Sequence, residues 1–304
     1  MKRISFLILL FLMSCTPEQI LTPPVKATQT ETLTATVQTA TEIPATAISS
    51  PTETPIPCDP FAAEFCITDG HFVLQRPILP PANDSVERTY PFASTAAGTR
   101  EAHHGVEFIN ASGTSVHAAG DGQVIFAGMD DKAVFSPWKK FYGNVVVIQH
   151  GNDLYTLYAH LSKIDVETRQ AVKTGEKIGE VGWTGAAIGS HLHFEARRGD
   201  GEDYFSTVNP ELWLAPRADE GALSISILNA QRVFQNAELT IQTAGRFYYI
   251  KTYEEGFKSM EENAALGEAR QGRYRITFYF GGSFYERWVD VAAGRLTQVI
   301  FVVK

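Results

Sequence analysis

Positive charge is scarce in this chain. Its 304 residues include 26 Lys and Arg against 34 Asp and Glu, which gives a formal net charge of −8. A protein that binds nucleic acid needs a basic patch to neutralise phosphates. The charge balance therefore argues against a nucleic-acid partner. The length is sufficient for one large domain or two ordinary ones.

A long apolar run is also missing. The apolar stretch near the N-terminus covers only residues 4–13, whereas a membrane-spanning helix needs about 20 apolar residues. Because Lys2 and Arg3 precede it, we assign residues 1–14 to a secretory signal peptide. The Leu-Met-Ser-Cys sequence that ends at Cys15 resembles a bacterial lipobox. That resemblance implies cleavage before Cys15 and lipidation of this residue; the alternative is an ordinary secretory signal with a chance cysteine.

Aromatic residues are few in the segment that follows, residues 15–57. The segment is rich in Thr, Pro, Ala and Gln, a composition that buries too little apolar surface to fold. We therefore predict a disordered tether. Together with a lipidated Cys15, it predicts an exported protein anchored at the outer face of the cytoplasmic membrane, in the cell envelope, with the lipid as its only membrane contact.

Cysteine is nearly absent from the remainder of the chain. Only Cys58 and Cys66 remain, eight residues apart. In an exported and oxidising setting we expect them to form a disulfide that closes a small loop and contributes about 2–3 kcal/mol. Two free thiols or a metal-binding pair are the alternatives.

No long helical period competes with the strand signals. Short alternating or β-branched runs such as Asn144–His150 and Leu154–Leu161 are separated by Gly turns. Many short strands at even spacing predict an all-β fold, an antiparallel sheet or barrel-like sandwich. A second set of predicted strands follows residue 222 and loosely resembles small transthyretin-like or carboxypeptidase-regulatory-like β-sandwiches; it comprises Leu223–Leu228, Ala237–Thr243, Phe247–Thr252, Arg273–Phe280, Ser283–Val291 and Leu296–Val303.

Two of the eight histidines, His191 and His193, alternate with a leucine in a run that reads as a strand. Side chains at positions i and i+2 of a strand point to the same face. Neutral imidazole is the commonest protein ligand for zinc, so the pair is half of a possible metal site. Most such pairs are surface residues or hydrogen-bonded core residues, so the pair alone is weak evidence.

An earlier run adds an acidic residue. If residues 100–108 form a strand, His103, Gly105 and Glu107 share one face and His104 lies on the other. His103 and Glu107 can then converge on one point, with Gly105 leaving space for an ion. A bend in the segment would instead allow His104 to pair with Glu107. His160 lies near another strand end, where a surface histidine is the ordinary interpretation.

Taken in order, these elements resemble the lysostaphin/LytM-type zinc metallopeptidases. The motifs are H-x-G-x-acid, a Gly-rich hairpin, Y-x-H-L, G-x-x-G-x-x-G and H-L-H-F-E, and they cover residues 98–215. The resemblance implies one zinc ion per chain, held by His103, Glu107 and His193, with His160 and His191 acting in catalysis. The family usually carries Asp where Glu107 stands; Glu is one methylene longer but still offers an oxygen ligand.

The resemblance also implies a reaction. Three protein ligands leave the fourth zinc position open for water, as in catalytic rather than structural sites. The family implies a zinc metalloendopeptidase that hydrolyses stem or cross-bridge peptides of peptidoglycan. The alternative is a catalytically inactive LytM-type domain that binds the wall or activates another wall hydrolase.

Two side chains near the motifs keep two interpretations each. Glu195 shares the strand face of His193 and either orients that ligand or is a solvated charge at a sheet edge. Arg100 either holds a substrate carboxylate or forms an ordinary salt bridge. The predicted domains are a peptidase domain over residues 58–216, including an irregular N-terminal lead-in, and a C-terminal β-sandwich accessory domain over residues 222–304.

Overall fold

The computed structural model describes residues 58–258 and 260–304. The predicted signal peptide, the tether and Cys15 lie outside these residues. The described chain consists largely of strands, and the helices in it are two 3₁₀ turns, Tyr204–Ser206 and Pro210–Leu212. The prediction of an all-β fold is confirmed.

Eleven strands precede residue 216. They are β1 (Cys66–Thr68), β2 (Val106–Ile109), β3 (Ser115–His117), β4 (Gly122–Met129), β5 (Asn144–Gln149), β6 (Leu154–Ala159), β7 (Lys163–Ile164), β8 (Ala171–Val172), β9 (Lys177–Glu180), β10 (His191–Arg198) and β11 (Thr207–Val208). Seven of them form an antiparallel sheet in the order β11-β10-β6-β5-β4-β8, with β2 also paired to β10. A smaller sheet has the order β3-β9-β7.

Strand β10 is buried along most of its length and divides its side chains between two environments. Leu192, Phe194 and Ala196 point into the main apolar core, where Phe108 of β2 and Tyr158 of β6 also lie. Because side chains alternate along a strand, His191, His193, Glu195 and Arg197 point to the opposite face. The same hydrophobic burial that fixes β10 in the sheet therefore collects its polar side chains on one side.

Seven strands follow residue 219. They are β12 (Glu220–Leu228), β13 (Glu238–Thr243), β14 (Arg246–Lys251), β15 (Ala264–Arg270), β16 (Gly272–Phe280), β17 (Ser283–Val291) and β18 (Leu296–Val302). They form an antiparallel sheet β14-β13-β16-β17 and a sheet β1-β18-β12-β15, in which β12 and β18 run parallel. Both sheets contribute to one apolar core, so this part is a sandwich. Strand β15 was not predicted, and β1, from the lead-in, belongs to this second sheet.

The two groups of strands are joined through the lead-in. Arg88 donates to Glu211 Oε2 (3.2 Å) and to the backbone oxygen of Gly267 (2.7 Å), and Arg76 donates to Glu268 Oε1 (2.7 Å). Nearby, an apolar cluster unites Phe92, Ala93 and Ala102 of the lead-in with Tyr253 and Phe257 of the C-terminal part. The C-terminal part therefore contacts the segment that leads directly into His103.

Cys58 and Cys66 are joined by a disulfide with a Cα–Cα distance of 5.8 Å. The bond precedes β1, which pairs with β18. Among the residues that the structure describes, no helix combines the length and apolar character needed to cross a membrane.

Candidate metal centre

The register of β10 brings the motifs together. His193 lies directly opposite Glu107 of β2 on one side and Ala159 of β6 on the other. His160 follows Ala159 at the end of β6. Residues from three separate stretches of the sequence therefore meet on one face of the sheet, because β10 pairs with β2 and β6 at once.

Three side chains on this face have the donor atoms of a metal site. One ligand atom each from His103, Glu107 and His193 lies within 4.8 Å of the other two. His103 Nε2 is 3.1 Å from His193 Nδ1 and 3.9 Å from Glu107 Oε1. The longer Glu107 side chain thus reaches the two imidazoles, and its side chain is 18% exposed.

Hydrogen bonds select which ring nitrogen each histidine offers. His103 Nδ1 donates to the backbone oxygen of Tyr90 (2.7 Å), which leaves Nε2 with a free lone pair. His193 is reversed: its Nε2 donates to Glu195 Oε1 (3.0 Å), and Nδ1 faces His103. Burial, followed by the neighbouring His193, holds the pKa of His103 well below its usual value, so this ring is neutral and suited to bind a cation.

Glu195 is fully buried and fixed by charge and hydrogen bonds. Its carboxylate accepts from Tyr142 Oη (2.6 Å) and from Arg197 Nε (2.7 Å) as well as from His193. Burial by itself would raise the pKa of Glu195, but Arg197 and the hydrogen bond from His193 outweigh it and lower the pKa to about 2. Of the two interpretations of Glu195, the solvated edge charge is wrong; the side chain holds the orientation of His193.

His160 and His191 lie beside the three-residue group. Their ring centroids are 4.9 Å apart, and that of His160 is 5.8 Å from the ring of His193. His160 Nδ1 donates to Thr184 O (2.9 Å) and His191 Nδ1 to Gly189 O (3.1 Å). Both rings therefore keep Nε2 free, and His191 Nε2 lies 3.6 Å from Glu107 Oε1.

The environment keeps the ring of His160 neutral. Burial, with the neighbouring His193 and His191, lowers its pKa to about 3. Its backbone has a positive φ of 62°, a region that side-chain-bearing residues adopt uncommonly. Its N–H donates to the backbone oxygen of Tyr142 (2.9 Å), which helps to hold this conformation.

The two remaining positions of the first motif behave differently from each other. His104 points away from the group: its Nδ1 donates to Tyr204 O (2.7 Å) and its ring stacks on that tyrosine at 3.5 Å. The pairing of His104 with Glu107 is therefore not present. Gly105 was predicted to leave space for an ion. The space is instead needed by neighbouring protein atoms, because a Cβ at this position would lie 2.4 Å from Phe194 O and 3.0 Å from His193 Cε1.

A cleft of about 390 Å³ opens over these residues. Arg100 lies at its edge, where its guanidinium packs over the ring of Tyr90 at 4.9 Å. Phe141 and residues 186–188 also line the cleft. The role of Tyr90 was not predicted, because it lies in a proline-broken segment that carries no motif. The role of Arg197 was not predicted either, because it depends on the burial of its charge, which the sequence does not show.

Comparisons with known proteins find similar sequences over the region of the site. Residues 101–207 match the model of Peptidase family M23. The DD-carboxypeptidase/endopeptidase Mpg of Neisseria meningitidis is 43% identical over 95 residues, which are 31% of this chain and 20% of that protein. The peptidoglycan DD-endopeptidase ShyA of Vibrio cholerae is 44% identical over 93 residues, again 31% of this chain and 20% of that protein.

One solved structure is a zinc-containing peptidase from Vibrio cholerae. It is 30% identical to this chain, with a TM-score of 0.35. The match covers 43% of this chain and 40% of the solved chain. The chain spans about a fifth of the length of the curated relatives Mpg and ShyA.

Proposed function

On the premise that residues 101–207 are a Peptidase family M23 domain, we propose that the chain is a zinc-dependent metalloendopeptidase that hydrolyses peptide bonds of bacterial peptidoglycan. The observation that carries the proposal is the convergence of His103 Nε2, Glu107 Oε1 and His193 Nδ1 within 4.8 Å, with two further histidines beside them.

The donor set fits zinc. Two imidazole nitrogens and one carboxylate oxygen are among the ligands that zinc takes in catalytic sites. Nitrogens at about 2.0–2.1 Å from a tetrahedral zinc would be roughly 3.3 Å apart, and the observed separation of His103 Nε2 and His193 Nδ1 is 3.1 Å. The hydrogen bonds to Tyr90 O and Glu195 already set the tautomers that such ligands need.

In the proposed reaction, the bound metal and the two neighbouring histidines have different roles. Bound zinc supplies Lewis acidity, which polarises the scissile carbonyl and lowers the pKa of water. His160 and His191 both present an unprotonated Nε2, so either can accept a proton there as general base. The ring that has accepted the proton then becomes a donor at Nε2 and stabilises negative charge on the substrate oxygen. Thr184 O and Gly189 O, which accept from the Nδ1 atoms, stabilise the charged rings.

The proposed substrate is supported by the relatives, since ShyA is a peptidoglycan DD-endopeptidase and Mpg a DD-carboxypeptidase/endopeptidase. The proposed location, exported and lipid-anchored through Cys15, is supported by the apolar N-terminal run and the lipobox-like motif. A location outside the membrane and in the cell envelope would bring the site to its substrate.

The proposal is tested by metal analysis together with a wall-digestion assay. We expect one zinc per purified chain and no zinc in His193→Ala. Zinc-loaded wild type should release peptides or cut cross-links in purified peptidoglycan. His160→Ala should keep its zinc and lose activity by about 10²–10⁴-fold, the usual contribution of a general base.

Two results would contradict the proposal. Equal zinc contents of wild type and His193→Ala would remove the metal site. Full zinc content with no hydrolysis of any peptidoglycan preparation would instead favour the alternative function, a domain that binds the wall or activates another hydrolase.

A further inference from the structure

Arg100 lines the cleft and lies three residues before His103 in the sequence. Its backbone N–H donates to Thr95 O (3.0 Å), which closes the turn ahead of it. Its guanidinium carbon lies 4.9 Å from the ring centroid of Tyr90. Within residues 58–258 and 260–304 it forms no salt bridge at 4.0 Å or less.

Tyr90 links this guanidinium to the metal group, by which we mean the candidate ligands His103, Glu107 and His193. The tyrosine ring stacks on the ring of His103, with centroids 4.3 Å apart and planes 11° apart. Its backbone oxygen accepts from His103, and its hydroxyl donates to the backbone oxygen of Glu101 (2.5 Å). An arginine that lies over an aromatic face keeps the N–H donors at its edge free. Tyr90 thus contacts both the Arg100 guanidinium and the proposed ligand His103.

Another part of the cleft lining is apolar. Phe141 and the small residues Ala186 and Ala187 form it together with Ile188, whose side chain is 79% exposed. A peptide bound in the cleft in an extended conformation presents successive side chains in opposite directions. The cleft lining therefore offers one cationic side chain, which suits a negatively charged group, and an apolar surface, which suits small apolar side chains.

Three carboxylates also line the cleft, and they differ in how strongly they would repel a bound anion. Glu195 is neutralised by Arg197 (2.7 Å), and Glu107 belongs to the metal group. Glu101 is exposed and lies next to Arg100 in sequence. It is the carboxylate of the cleft that remains to weaken the binding of an anion.

Resting on the endopeptidase function proposed above, we propose that Arg100 is a specificity residue that binds a free carboxylate of the peptide substrate close to the scissile bond. Planar carboxylates accept two parallel hydrogen bonds from a guanidinium. Small apolar side chains of the same peptide pack against residues 186–188. The carboxylate is either the C-terminal one or one carried by a side chain.

The test uses the zinc-loaded full chain and three wall peptides of identical sequence: one with free carboxylates, one with a C-terminal amide and one with a side-chain amide. Wild type should lose about 10–100-fold in kcat/KM with one of the two amides, as expected for a charged hydrogen bond. Arg100→Gln should lose the same factor on the free acid, mainly through KM, and should no longer distinguish the peptides. Arg100→Lys should lie between the two.

Two further variants sharpen the result. Glu101→Gln should lower KM for the free acid, because it removes the opposing charge. Arg246→Gln, at an exposed arginine of β14, should behave as wild type. Loss with the C-terminal amide identifies the terminal carboxylate, and loss with the side-chain amide identifies the other.

The proposal is overturned if wild type cleaves all three peptides equally, or if Arg100→Gln loses activity equally on all three. Both results leave the endopeptidase function standing. Failure of wild type to cleave any wall peptide would instead remove that function, and the role of Arg100 with it.

Discussion

At the scale of single residues, the buried ion pair Glu195–Arg197 connects the metal group to the protein interior. Both side chains are fully buried, and the guanidinium also donates to the backbone oxygens of Phe135 and Gly201 (2.9 Å each). A buried charge that loses its partner is costly because neither water nor an opposite charge solvates it. The pair is therefore strongly interdependent: Glu195 bonds to His193 directly, and Arg197 supports the orientation of His193 through Glu195.

We expect Glu195→Gln to lower the free energy of unfolding by about 3 kcal/mol, since Arg197 would remain buried without its counter-charge. Zinc affinity should fall by about 10–100-fold, as found for changes behind a metal ligand. Urea unfolding and a zinc-competition titration measure the two effects. Glu238→Gln, at the exposed pair with Lys251 (3.2 Å), is the control and should cost under about 1 kcal/mol. Equal losses in both variants would contradict the interdependence.

Glu262 should make stability depend on pH. It lies in the interior, where it accepts from Tyr253 Oη (2.7 Å), and burial raises its pKa to about 7. The native state therefore keeps this proton up to about pH 7, whereas the unfolded chain releases it near its usual value of 4.5. Between these values the native state binds more protons, so stability falls as pH rises, by up to about 3 kcal/mol.

Glu262→Gln removes the titrating group and keeps an oxygen that can accept from Tyr253. We expect the variant to gain stability over wild type as pH rises from 5 to 8, with little difference at the acidic end. Urea unfolding of both proteins at four pH values measures this. Parallel pH curves for the two proteins would show that Glu262 does not titrate in this range.

At the scale of elements, the close approach of β2 and β10 depends on Gly105. Because an added Cβ would lie 2.4 Å from Phe194 O, Gly105→Ala should push the start of β2 away from β10 and separate His103 from His193. We expect a loss of about 1–3 kcal/mol in unfolding free energy and weaker zinc binding. Gly151→Ala, where nothing lies within 4 Å of the added carbon, is the matched control and should bind zinc as wild type does.

Much of this element-level arrangement was predictable from the sequence. The alternation of His191 and His193 fixed their common face, and the spacing of His103 and Glu107 indicated that they converge. The pairing of β10 with both β2 and β6 was not predictable. Its partner strands are up to about 90 residues away, and the local sequence of a strand does not specify such distant partners. Strand β15 was missed because its sequence, Ala-Ala-Leu-Gly-Glu-Ala-Arg, is poor in β-branched and aromatic residues.

The supporting side chains were the least predictable part of the site. Tyr90 acts through a backbone oxygen and a stacked ring, and neither leaves a sequence motif. Tyr142 lies beside a Gly turn, and its hydroxyl donates to Glu195. Such roles depend on burial, which exists only once the sheet has assembled.

At the scale of the whole molecule, the C-terminal sandwich supports the metal group through the lead-in. Phe92 and Ala102 pack with Tyr253 and Phe257, and Arg88 and Arg76 bond to residues 267 and 268. Ala102 is the residue next to His103. The C-terminal part is thereby in indirect contact with a proposed ligand.

We therefore expect a shortened chain of residues 58–216 to have a lower melting temperature and weaker zinc binding than a chain of residues 58–304. The longer chain should unfold in one cooperative transition, despite its two apolar cores, because the junction couples them. Calorimetry and zinc competition on both chains measure this. A shortened chain with unchanged zinc affinity would show that the lead-in holds His103 without help.

The positive φ of His160 has a consequence for how the sequence can drift. Glycine adopts this backbone region freely, whereas other residues are strained in it by about 1 kcal/mol or more. His160→Gly should therefore be more stable than His160→Ala, although both lack the imidazole. Among chains that lack this imidazole, those with glycine at position 160 should therefore be the most stable.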